Sequence, residues 1–389
     1  MEVHAVFEGG GVKGISLAGA VRAAERYGVK FRRVAGTSSG SIVAALIAAG
    51  YTAVEMKAII EATPFSTFLH RAPVFETRVI GPALRLLLRK GLYSGDVLEQ
   101  WIEKLLAAKG VRTFGDLPPG KLRIIASDIS NGKLLVLPDD IEAFGINPET
   151  FPVARAIRMS TSIPYFFDPV PIRMKRDGSG RSKIAYIVDG GLLSNFPLWL
   201  FDRELGDETN RVPVLGFQMV GRAETKPRTI RGPVTMLEAL IETMLNAHDE
   251  RYIEKQYRLR TIKIPTLGVG TTEFHITPEK SNRLYQSGLE AGMAFFRHWS
   301  GTAGRRPEPE DEATAPDAGA SEPDDRRPDP EREAPDGRTK TAETDGKKAQ
   351  GAAGHERARP PAPERAVNDG TDGASGRFPN VTIRPRNQG

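Results

Sequence analysis

Gly36-Thr37-Ser38-Ser39-Gly40 places a serine between two glycines, after the strand-like run Lys30 to Ala35 and before the small-residue stretch Ser41 to Ala49. No other feature constrains the fold as strongly. Glycines at both ends of G-x-S-x-G let the chain turn sharply from strand to helix and leave the middle hydroxyl exposed at a sheet edge. The helix then sets free N–H groups and the positive end of its dipole beneath Ser38. A similar turn lies upstream, where His4 to Phe7 runs into Gly9-Gly10-Gly11-Val12-Lys13-Gly14 and the helix-like stretch Ile15 to Tyr27. Such a turn aims several N–H groups at one spot, suiting a phosphate, a carboxylate or the oxyanion of a tetrahedral intermediate. Ser38 is the candidate nucleophile.

Gly9, Gly11 and Gly14 also satisfy G-x-G-x-x-G, the dinucleotide-binding pattern. That unit needs an acid at the end of its second strand to hold the ribose. Here the second strand ends in Val34-Ala35-Gly36-Thr37-Ser38, without one, so the nucleotide reading is set aside. A third element lies far downstream, where the buried-type strand Ile184 to Val188 ends in Asp189-Gly190-Gly191. An acid at a strand's carboxyl end faces the crevice in which α/β sheets place their chemistry. A Ser-His-Asp triad would use Ser38, Asp189 and either His248 or His275, but its elbow normally follows several strands, and here it follows the second. His4 and His70 fit no triad order. No metal site is expected, since cysteine is absent, the six histidines are scattered, and no H-E-x-x-H pair or calcium loop occurs.

With these elements in order, the chain resembles the patatin-like phospholipase family over residues 3–300. Further pieces carry the likeness: Ala154 to Pro164 (ARAIRMSTSIP), Ala126-Ser127-Asp128-Ile129 followed by Gly132, and Asn195 with Pro197 after the D-G-G. The resemblance implies an α/β fold of three layers, α/β/α, around a central, mostly parallel sheet. It implies Ser38 as nucleophile, Asp189 as its base, and backbone N–H groups at Gly9, Gly10 and Gly11 as the oxyanion hole. Gly14, Gly36, Gly40, Gly190 and Gly191 shape the motifs. Lys13 steadies the glycine loop, meets a lipid phosphate or is simply solvated. The implied activity is cofactor-free release of fatty acid from phospholipids or lysophospholipids. A transacylase using the same acyl-enzyme and a silent lipid-binding or regulatory protein are the alternatives.

Composition changes sharply near Gly301. Residues 1–300 carry a net positive charge and regular apolar segments, which suits one catalytic domain. Residues 301–389 are net negative, rich in Pro, Gly and Ala, and hold one aromatic, Phe378. Such a low-complexity tail buries too little apolar surface to offset its chain entropy and is expected to be disordered. Within the domain, residues 64–95 mix Phe and Leu with Arg71, Arg78, Arg85, Arg89 and Lys90 against one acid, Glu76. That mixture is expected to form a lid, an acyl-pocket wall or a membrane-contact face; the alternative is an insertion with leucines in the core and arginines at its solvated edge. Basic charge without a nucleic-acid reader motif points to anionic membranes rather than nucleic acid. The chain starts in a strand without a leader, and its apolar runs are too short to span a bilayer. A cytoplasmic protein with peripheral membrane contact is expected, and leaderless secretion is the alternative.

Overall fold

The computed structural model describes residues 1–69, 80–174, 183–202, 212–221 and 259–299, with isolated positions between 230 and 243. His70, His248 and the expected tail lie outside the described residues. The strands are β1 (Glu2–Phe7), β2 (Lys30–Thr37), β3 (Gly91–Tyr93), β4 (Leu122–Asp128), β5 (Lys133–Leu137), β6 (Tyr165–Phe167), β7 (Val170–Arg173), β8 (Ile184–Asp189), β9 (Val214–Val220) and β10 (Thr261–Pro265). The helices are α1 (Ile15–Arg26), α2 (Ser39–Ala48), α3 (Ala53–Ala62), α4 (Ile80–Arg89), α5 (Asp96–Ala108), α6 (Val153–Ser160), α7 (Trp199–Asp202) and α8 (Pro278–His298). The strands expected at His4 to Phe7, Lys30 to Ala35 and Ile184 to Val188 are present as β1, β2 and β8. The pattern did not reveal β3, β6, β7, α4 or α7.

The main sheet runs β10-β9-β1-β2-β4-β8-β7, with β5 also on β4. Neighbours from β10 to β4 are parallel, whereas β5 and β8 run antiparallel to β4 and β7 antiparallel to β8. Strand alternation distributes the core between the two faces. Val3, Ala5 and Phe7 of β1 join Val34, Leu215 and Phe217 in the larger cluster, under α1, α2 and α8. Val6 joins Ala35, Val214 and Phe201 of α7 in the smaller cluster, where the His4 ring also stacks on Phe201 at 5.1 Å. Because β1 is covered on both faces, its sequence is apolar almost throughout, as buried parallel strands are. The architecture is α/β, a mixed but mostly parallel sheet flanked by helices.

β4 sets the position of the site. Residues Ile124 and Ile125 pair with β2 and also with β5, so those two strands occupy opposite edges of β4. Ala126 to Asp128 pair with β8 and also with β5, so β8 lies on the edge that β2 occupies. β2 and β8 therefore meet tip to tip along one edge, Thr37 ending opposite Ile125 and Asp189 opposite Ala126. The next residue after Thr37 is Ser38. A one-residue slip of either strand would turn its side chains to the opposite face and dissolve this meeting.

Candidate active site

Ser38 sits at the corner between β2 and α2 with φ 51° and ψ −126°. Positive φ is strained for a residue with a side chain, and its surroundings enforce it. The Ser38 N–H donates to Ser160 Oγ at 2.9 Å, and Ser160 Oγ donates in turn to the Ile125 carbonyl at 2.6 Å. On the other side the Ser38 carbonyl accepts from Ser41 Oγ at 2.6 Å and from Ser41 N at 2.9 Å. Gly40 has to be glycine. A Cβ there would lie 2.3 Å from the Phe7 carbonyl oxygen, and one on Gly36 would lie 2.3 Å from the Gly40 carbonyl oxygen. The elbow is thus pressed against β1, whose far end opens into the glycine loop.

Asp189 reaches Ser38 directly. Ser38 Oγ donates to Asp189 Oδ2 at 2.6 Å, both side chains being buried. The other oxygen, Oδ1, accepts from Gly191 N at 2.8 Å, while the Asp189 N–H donates to the Ser162 carbonyl at 2.9 Å. Burial raises the carboxyl from its ordinary 3.8 to about 7, against the opposing pull of the Ser38 and Gly191 hydrogen bonds. A carboxylate so placed is a far better base near neutrality than an exposed one. Gly190 lets the turn press on β4, since a Cβ there would lie 2.2 Å from the Ile125 carbonyl oxygen.

The glycine loop divides its roles. Gly9 N–H donates to the Asn195 carbonyl at 3.1 Å, and Asn195 Nδ2 donates back to the Gly9 carbonyl at 3.1 Å. Gly9 is therefore clamped, and its N–H is already taken, contrary to the expectation that it faces an oxyanion. Gly10 N–H donates to Ser39 Oγ at 3.1 Å, next to the elbow serine. Gly11 turns through φ 57° and lines the cavity with Ser38, and Val12 N–H holds the Thr271 carbonyl at 3.1 Å. Gly14 lies against Ser39, where a Cβ would meet the side chain at 2.7 Å. Of the supporting residues, Ser39 lies in the G-T-S-S-G motif and Ser160 in the Ala154 to Pro164 stretch, whereas no motif marks Thr271.

A cavity opens beside Ser38. It follows α2 along Ile42, Val43 and Leu46 and reaches Met56, Phe68 and Trp101. Apart from Ser38, Ser39 and Thr161, its lining is glycine, aliphatic or aromatic. Phe274 closes one wall, stacked on Phe166 at 5.4 Å and edge-on to Phe167 at 5.9 Å. His275 is exposed beside it, and His4 is buried on β1, so neither takes part in the Ser38–Asp189 contact. Among the described residues no cluster of His, Cys, Asp or Glu suits a metal ion, and no helix is long and apolar enough to cross a membrane.

Residues 64–95 divide between these surroundings. Phe65 and Phe68 line the cavity. Arg85 is not the exposed cation that its sequence neighbours suggest. It is buried, with Nη1 and Nη2 on the two Asp168 oxygens at 2.6 and 2.8 Å and a further bond to the Gly91 carbonyl. Leu87 and Leu88, by contrast, are exposed rather than core. Residues 70–79, with Arg71, Val74, Phe75, Glu76 and Arg78, lie outside the described residues.

An α/β protein with a strained serine elbow, a buried acid on its hydroxyl and an apolar cavity beside it belongs among proteins that handle lipid esters. The model of the patatin-like phospholipase family matches residues 5–202. The chain belongs to that family, and with it to the lipid-hydrolysing esterases. It is 46% identical over 301 residues to the uncharacterized protein YqhO of Bacillus subtilis (strain 168), a match covering 77% of this chain and all of that one. The uncharacterized protein R571 of Acanthamoeba polyphaga mimivirus is 23% identical over 296 residues, covering 73% and 90%. Among solved structures, VipD from Legionella pneumophila is similar with a TM-score of 0.44 and 18% identity, covering 76% of this chain and 66% of that one. The type III effector protein ExoU has a TM-score of 0.40 and 17% identity, covering 76% and 53%, so the chain spans only about half of ExoU.

Proposed function

We propose that Ser38 and Asp189 form a catalytic dyad that hydrolyses acyl esters of phospholipids or lysophospholipids without a cofactor. The observation that carries this reading is the 2.6 Å hydrogen bond from Ser38 Oγ to a buried carboxylate. As Oγ attacks the ester carbonyl, its proton passes to Asp189 Oδ2, and the carbonyl oxygen becomes an oxyanion. The N–H groups of Gly10 and Gly11 receive that oxyanion, Gly10 exchanging its bond to Ser39 Oγ for one to the substrate. Collapse expels the alcohol, which takes the proton from Asp189. A water molecule then gives its proton to Asp189 as it attacks the acyl-enzyme, and collapse returns that proton to Ser38 Oγ, releasing the fatty acid and restoring the Asp189 carboxylate.

The apolar cavity supports an acyl chain as the group bound beside Ser38, since burying hydrocarbon is what such a lining favours. In this reading residues 1–300 form the catalytic domain and the 301–389 tail takes no part in the chemistry. The protein acts in the cytoplasm as a peripheral visitor to membrane surfaces. Incubating wild type, Ser38→Ala and Asp189→Asn with mixed phospholipids and a chelator, with products measured by mass, tests the proposal. Fatty acid should appear with wild type alone. Undiminished release by either variant removes that residue from the mechanism, and release only with added divalent metal overturns the cofactor-free account.

A further inference from the structure

We propose that the end of α4, together with the outer ends of β7 and β8, is the face by which this protein docks on an anionic phospholipid bilayer. The inference rests on the proposed lipid hydrolysis and names the surface that would deliver it. Leu87 is 77% exposed and Leu88 59%, adjacent on the last turn of α4 and followed by the exposed cations Arg89 and Lys90. Two consecutive leucines left in water need an explanation that folding does not supply.

Side-chain contacts and strand pairing make the patch continuous. Lys90 Nζ lies over the Tyr186 ring of β8 at 4.9 Å. Tyr186 pairs with Pro171 of β7, and two residues further out Arg173 pairs with Ile184, which is 49% exposed. Arg173 and Lys183 are exposed as well. On the other side Gly91 pairs with Tyr165, which is 48% exposed. Tyr165 stands between Ile163 and Phe167, both lining the cavity, so the patch borders the wall of the site. β8 continues outward past the end of β4, which places its outer end beyond the level of Ser38 and Asp189.

Charge and strain agree. Among the described residues of α4, β3, β6, β7, β8 and the turn joining β6 to β7, the acids are Asp168, paired with Arg85, and buried Asp189; exposed Asp96 opens α5 just past β3. The exposed charges on α4, β7 and β8 themselves are cations. Lys90, between α4 and β3, and Tyr165, the first residue of β6, both hold positive φ, 65° and 62°. Non-glycine residues keep such angles only where surrounding structure fixes them, commonly at functional surfaces. Apolar side chains ringed by cations are what an anionic interface binds, by insertion of the former and attraction of the latter.

The test uses full-length protein carrying Ser38→Ala, sedimented with vesicles of phosphatidylcholine or of equimolar phosphatidylcholine and phosphatidylglycerol. Binding should favour the anionic vesicles and weaken with salt. Leu87→Ser/Leu88→Ser and Arg89→Glu/Arg173→Glu should each weaken it about ten-fold or more. In the Ser38 background the same changes should leave hydrolysis of a soluble short-chain ester intact, along with the thermal midpoint. Equal binding to both vesicle types, or wild-type binding by either variant, overturns the proposal. Loss on charge reversal with none on leucine replacement also overturns it, reassigning the face to a soluble polyanion. Failure of wild type to cleave the soluble ester would instead strike the dyad, leaving the vesicle result to stand separately.

Discussion

Asp168 and Asp189 flank the same hairpin, β7 and β8, yet they meet opposite partners. Asp168 is gripped by the guanidinium of Arg85 through two bonds, and its own carbonyl accepts from buried Arg158 at 2.8 Å. Asp189 meets only neutral donors, a serine hydroxyl and a backbone N–H, in a buried setting. A carboxylate buried among neutral groups keeps its affinity for a proton, as Asp189 does. Two acids of one type thus divide between holding the fold and, in the proposed dyad, moving a proton.

The largest test of this contrast is removal of the proton-moving pair. Ser38→Ala and Asp189→Asn should each lower kcat for ester cleavage on the order of 10⁴-fold, and the double variant should lose little more, because the two act as a unit. Next comes stability. The Asp189 carboxyl is raised in the folded state, so its contribution favours folding below pH ~4 and is lost as pH rises to about 7. Asp189→Asn lacks this loss, and its stability relative to wild type should therefore grow across that window by about 4 kcal/mol, measured by denaturant titration. Arg85→Met removes the guanidinium that holds the Asp168 carboxylate and should cost about 3 kcal/mol of stability, read in the same titrations.

These acids also show how much of the molecule was legible in its sequence. Ser38 and Asp189 each stand at the end of an apolar run beside glycines, so local chemistry marks them, and their surrounding strands follow from the same runs. Their meeting is not local. It depends on β2 and β8 sharing one edge of β4, and the chemistry by itself does not contain that register. The Arg85–Asp168 pair left no trace, because an arginine among leucines and an aspartate before a proline look alike whether buried or solvated. β3 and β6 span only three residues each, too short for an alternating pattern to register. Gly9 was placed with the oxyanion donors because a glycine run does not say which N–H is already engaged, and Asn195 engages it.

The smallest expected effect sharpens the comparison from the glycine loop. Asn195→Ala removes the Nδ2 bond to the Gly9 carbonyl but leaves the backbone bond, so kcat should fall several-fold, about 1 kcal/mol, with KM for a soluble ester little changed. A rise in KM alone would show that Asn195 shapes the cavity rather than the loop.

The pH dependence of kcat/KM on a soluble short-chain ester goes straight to the role of Asp189. With the buried carboxylate as the base, activity rises with pH through an apparent pKa of about 7. A profile that titrates near pH ~4, the range of an unperturbed carboxyl, or that persists unchanged in Asp189→Asn, would contradict the account.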